Sequence, residues 1–119
     1  MSKQQREALD GMLRHAPLDL GGEVEEQRRV FAEMMSAVPL PAGVRTENSA
    51  LGGVPVVRID VDGIDPVGTV LYFHGGAYAI GSAASATGLA ADLASRAGSR
   101  AISVDYSLCL LYTSDAADE

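Results

Sequence analysis

The stretch Thr69-Val70-Leu71-Tyr72-Phe73-His74-Gly75-Gly76-Ala77-Tyr78 constrains the fold of this chain most, because a strand-forming run passes straight into a pair of glycines. Its β-branched and aromatic content suits a strand covered on both faces, and the glycines remove side chains that would block close approach to the backbone. A loop with exposed amides of this kind can hold an anion. After Gly81 and Ser82, an alanine-rich segment from Ala83 to Ala97 carries Leu89 and Leu93 one helical turn apart and meets Gly98, where a helix C-terminus favours a left-handed residue. Arg100 to Tyr106 supplies another short apolar run, Ala101-Ile102-Ser103-Val104, ending at Asp105. Strand, helix, strand predicts a right-handed crossover between parallel strands, and hence an α/β fold.

Upstream, Gln4 to His15 reads as a short helix with a narrow apolar face of Leu9, Met12 and Leu13, a face suited to ordering against a partner surface. A second helix is expected from about Glu23 to Ala37, with Val24, Phe31, Met35 and Val38 on one side and acids in its first turn, where they suit the helix dipole. Pro39 and Pro41 end it, and the segment through Asn48 reads as a linker. From Val54 the period becomes two: Val57, Ile59 and Val61 alternate with Arg58, Asp60 and Asp62, as in an outer strand with one wet face. Asp62-Gly63 and Asp65-Pro66-Val67-Gly68 supply turn chemistry for an antiparallel return at the sheet edge.

With 119 residues the chain holds one small domain. A net charge of −7 and no basic stripe disfavour nucleic acid as a partner. The N-terminus lacks the apolar core of a secretory signal, and no run approaches membrane-spanning length, so a cytoplasmic location is expected. Cys109 has no partner for an internal disulfide, and with only His15 and His74 the chain lacks the clusters of a cysteine and histidine metal site. No cofactor is expected.

Three readings fit the glycine loop. It is a tight turn without a ligand, or part of a nucleotide-binding βαβ module ending in Asp105, or an oxyanion hole. The nucleotide fingerprint needs G-x-G-x-x-G, whereas Gly75 and Gly76 are adjacent, Gly81 lies five positions on, and no Lys-Ser or Lys-Thr pair follows. An oxyanion hole accounts for His74 as well, either as a group bracing the loop by hydrogen bonding or as a proton-transfer group, which would need a nucleophile within reach.

His74-Gly75-Gly76-Ala77-Tyr78, Gly81-Ser82 and Asp105-Tyr106 resemble the hormone-sensitive-lipase-like family of bacterial α/β-hydrolases, over most of residues 20 to 108. The acidic helical lead, Gly52-Gly53-Val54-Pro55 and the run from Gly68 to Ser82 look most like its short-chain esterases and lactone hydrolases. The resemblance implies a truncated α/β-hydrolase fold: cap helices in residues 1–41, then the first strands of a mostly parallel sheet with one crossover helix in residues 42–108. It implies that the amides of Gly76 and Ala77 line an oxyanion hole, with Gly75 permitting the turn and His74 bracing it. The substrate would be a small-molecule ester or lactone, with neither metal nor cofactor.

The family nucleophile sits in Gly-x-Ser-x-Gly, and no serine here has glycine two positions before and two after it. Neither histidine occupies a triad position, Asp105 belongs to a structural Asp-Tyr pair, and Ser82 and Ser85 suit capping of the helix start. The family's Asp-Tyr normally continues Arg-Leu-Ala-Pro-Glu. Here Asp105-Tyr106-Ser107-Leu108 passes into residues 109–119, which resemble the translation of a transposase-type sequencing adapter in one frame. The expectation is therefore the N-terminal fragment of a serine carboxylester or lactone hydrolase, itself inactive, with a non-native tail; the alternatives are a small nucleotide-binding βαβ module or an inactive fold remnant. In the parent fold the strand ending at His74 would lie between the fourth strand and the nucleophile strand.

Overall fold

The computed structural model describes residues 1–19, 21–76 and 79–108. The elements are α1 (Lys3–Arg14), α2 (Val24–Ser36), β1 (Val44–Leu51), β2 (Val54–Val61), β3 (Thr69–Phe73), α3 (Thr87–Ala97) and β4 (Arg100–Val104). The four strands form one sheet in the order β1-β2-β4-β3, antiparallel from β1 to β4 and parallel between β4 and β3. Among the described residues the architecture is α/β: a mixed four-stranded sheet with one crossover helix packed on it.

The crossover from β3 through α3 to β4 is the predicted parallel unit, with Val70 opposite Ala101 and Phe73 opposite Val104. Gly98 closes α3 in the left-handed region, with φ 60°. The core lies between α3 and one sheet face, where Ala90, Ala91 and Ala94 pack on Val57, Ile59 and Ala101. Small side chains let the helix backbone lie close to the sheet. Leu89 and Leu93, which carried the apolar pattern in the sequence, point outward instead.

Four further expectations are corrected. The segment read as a linker through Asn48 contains β1, and β1 rather than β2 is the outer strand on that side. Gly52 and Gly53, both at positive φ, form the two-residue loop of the β1–β2 hairpin, the conformation a tight primed turn requires. The turns after Asp62 do not return the chain beside β2, because β4 lies between β2 and β3. Finally, α3 begins at Thr87 with Ala86 at its N-cap, and no side chain caps it. Ser82 and Ser85 cap the preceding turn: each backbone N–H donates to the other's hydroxyl oxygen, at 2.8 and 3.1 Å.

Both N-terminal helices form, but Val38, expected on the apolar side of the second with Val24, Phe31 and Met35, lies beyond the end of α2 and is exposed. Ser2 and Gln5 make a capping box at the start of α1, none of whose residues is buried, and Leu9, Met12 and Leu13 are exposed. In α2 only Gln27 is buried, where its side-chain oxygen accepts from Asp19 N–H at 2.6 Å. Among the described residues no helix is long and apolar enough to cross a membrane.

Candidate active-site loop

β3 delivers His74 to the C-terminal end of the sheet, and β4 delivers Asp105 and Tyr106 beside it. His74 is 6% exposed, and its imidazole stacks on the Tyr106 ring with centroids 4.3 Å apart. The Tyr106 hydroxyl donates to the His74 carbonyl. His74 Nδ1 lies 2.8 Å from the Gly75 carbonyl oxygen. A carbonyl only accepts, so this contact requires a proton on Nδ1. Nε2 is buried and has no partner among the described residues.

Beyond Gly75 the loop turns on Gly76, whose carbonyl accepts from Ala79 N–H at 3.0 Å and Ile80 N–H at 3.1 Å. The conformational requirement for glycine falls here rather than at Gly75. Gly76 has φ 135°, and a Cβ there would lie 2.0 Å from the Ile80 carbonyl oxygen. A Cβ at Gly75 would meet nothing within 4 Å. Gly81 closes the loop against the histidine, and a Cβ on it would lie 2.6 Å from His74 Nδ1.

Ala83 anchors the far end of the loop. Its N–H donates to Asp105 Oδ1 at 3.0 Å, and its carbonyl accepts from Thr87 Oγ1 at 3.0 Å and Ser103 Oγ at 2.9 Å. Asp105 thus sits in the structural place expected of it. Ser103 and Thr87 were not singled out by sequence reasoning, although a serine inside the apolar run of β4 was a signal, since a buried hydroxyl needs a partner. Ala77 lies outside the described residues, as do Cys109 and the rest of 109–119. His15 is remote from this assembly at the end of α1, its Nδ1 2.8 Å from the Gly11 carbonyl.

A cavity of about 530 Å³ adjoins the loop, walled by Arg28, Pro55, Gly81, Ser82, Asp105 and Tyr106. α3 starts several residues after the glycine pair, whereas a nucleotide fingerprint opens directly into its helix. No group of three metal-ligating side chains is assembled among the described residues.

The family profile for the α/β hydrolase fold matches residues 70–117. A curated Mycobacterium tuberculosis protein named as an acetyl-hydrolase, LipR, is 41% identical over 80 residues, covering 67% of this chain and 26% of its own length. A crystal structure of an esterase from the bacterial hormone-sensitive lipase family superposes with TM-score 0.75 at 29% identity, over 91% of this chain and 36% of that one. A hormone-sensitive lipase from a metagenome library gives TM-score 0.77, with the same identity and coverage. This chain spans about a third or less of the length of these relatives.

Proposed function

This chain has the α/β-hydrolase fold in its hormone-sensitive-lipase-like form, and on that premise we propose that it supplies the oxyanion-hole loop of a serine carboxylester or lactone hydrolase. The observation that carries the proposal is the hydrogen bond between His74 Nδ1 and the Gly75 carbonyl. A peptide unit is planar and trans, so its carbonyl and N–H point to opposite sides. With the Gly75 carbonyl held toward the imidazole, the N–H of Gly76 is aimed away from it. Among the described residues no group accepts from that N–H. A fixed, unpaired amide is what a developing oxyanion needs, and such a donor lowers the barrier by about 3 kcal/mol.

His74 then acts as a brace. Its Nδ1 proton is engaged by the loop, and its Nε2 is buried, which suits holding a peptide in place better than shuttling protons. Ala77 is proposed as the second donor, and its amide is retained even though glycine is the commoner residue there. The nucleophile, triad acid and triad base would come from polypeptide beyond Leu108, forming and hydrolysing an acyl-enzyme on serine. Residues 1–41 would serve as cap helices and 109–119 would be non-native. A small ester or lactone as substrate, a cytoplasmic location and independence of metal and cofactor go with this reading.

The test is hydrolysis of a short p-nitrophenyl ester. The purified 119-residue chain is expected to give no turnover above buffer, and clear turnover by it contradicts the proposal. A polypeptide extended along its natural reading frame through a Gly-x-Ser-x-Gly segment is expected to turn over.

A further inference from the structure

We propose that Arg28 is a positioning residue, the strap through which α2 fixes the Ala79–Ile80 peptide of the loop against Gly76. This assignment rests on the reading of that loop as an oxyanion hole. Arg28 Nε donates to the Ala79 carbonyl at 2.7 Å, bridging 51 positions of sequence. Among the described residues it is the one hydrogen bond from α2 to the sheet and its loops. The side chain is only 17% exposed, and Nη1 is held by Glu25 at 2.6 Å. The bond is charge-assisted and largely shielded from water, which makes it stronger than a neutral surface contact.

Packing does little to seat α2. Phe31 and Met35 are only half-buried and Ala32 is exposed, and cavities of about 250 and 440 Å³ are lined jointly by α2 and the segment before α3. The Arg28 bond adds a directional tie that this loose apolar contact lacks.

The other end of that bond enters the loop at a decisive peptide. Ala79 C=O and Ile80 N–H belong to one planar unit and point in opposite directions. Arg28 holds the carbonyl, while the N–H donates to the Gly76 carbonyl. The orientation imposed by α2 is thereby passed through a single peptide to the carbonyl of Gly76. A displacement of α2 displaces the candidate donor loop.

Amide hydrogen exchange on the whole chain, read residue by residue by NMR, tests the strap. Arg28→Met is expected to speed exchange at Ile80 roughly tenfold, the loss anticipated for one charge-assisted bond, and to shift the Ile80 nitrogen resonance. Arg28→Lys, which keeps one donor without the planar fork, is expected to recover part of the protection. Glu25→Gln removes the outer ion pair but leaves the Ala79 bond, and exchange at Ile80 is expected to stay near the parent value. The amides of the central strand β4 report whether each variant remains folded. Unchanged exchange at Ile80 in Arg28→Met with β4 protected overturns the proposal. If Arg28→Met also exposes β4, Arg28→Lys decides: a rise confined to the loop supports the strap, and no rise overturns it. Ester turnover reads the hydrolase assignment and exchange reads the strap, so each fails separately.

Discussion

Gly76 and Gly81 are the two residues at which the loop admits no side chain. At Gly76→Ala the new methyl would sit 2.0 Å from the Ile80 carbonyl oxygen in a backbone region that suits only glycine. The variant is expected to lose roughly 3 kcal/mol of stability through strain and loop displacement, measured by urea unfolding. Gly81→Ala drives a methyl onto His74 Nδ1 and the Gly75 carbonyl, breaking the contact that aims the Gly76 amide. Gly75→Ala should cost within about 0.5 kcal/mol, because the space beside it is open. Equal losses at positions 75 and 76 would contradict this account of the turn. Tyr106→Phe keeps the stacking on His74 but deletes the hydroxyl donor to its carbonyl. The expected loss is about 1 kcal/mol, again by urea unfolding.

At the scale of elements, what could be read in advance followed periodicity and punctuation. α1, α2, β3 and β4 were visible because apolar spacing, Pro39 and Gly98 marked them. β1 was not, since Val44-Arg45-Thr46-Glu47-Asn48-Ser49-Ala50-Leu51 is exposed almost throughout and has no period-two apolar face. Its order comes from pairing with β2, and Gly52-Gly53 was the overlooked hairpin signal. The antiparallel return of β3 beside β2 does not form, because turn residues after Asp62 show where the chain bends but not which neighbour it meets, whereas the expected pairing of β3 with β4 does form. At the loop, His74 and the glycines were legible from spacing and resemblance. The grip on Ala83 by Ser103, Thr87 and Asp105 depends on tertiary contacts between separate elements.

Helix α2 carries its own electrostatic prediction. Arg29 bonds both Glu26 and Glu33, and its hydrogen bond holds the Glu26 carboxyl below the usual carboxylate range. A carboxyl lowered in the folded state stabilises it above the ordinary value of 4.5. That contribution is lost as pH falls through the lowered folded-state value. Acidification from above 4.5 down through that lowered value should therefore weaken α2 in the parent chain. Arg29→Gln should remove this part of the pH dependence, as followed by backbone chemical shifts of α2. An identical acid response in both chains would remove the pair from the account.

For the molecule as a whole, the dominant feature is an open side. β3 ends the described sheet, its outer edge unpaired, with Leu71 52% and Phe73 58% exposed on the face away from α3. No charged residue interrupts Thr69–Phe73 to discourage a second strand from adding. The isolated chain is expected to self-associate in size-exclusion chromatography. Leu71→Lys, which places a charge on the exposed face, should shift it toward monomer, and an unchanged profile would mean that another surface drives association. The same open edge, with the loop at its end, is where the proposed remainder of a hydrolase sheet would pair.

The central claim, that this loop is one half of an oxyanion hole whose other parts follow in the same polypeptide, is tested most directly by sequencing the encoding DNA from its natural source past codon 108. An open frame continuing with Ala-Pro-Glu and then Gly-x-Ser-x-Gly is the predicted result. A stop codon at that point would contradict it.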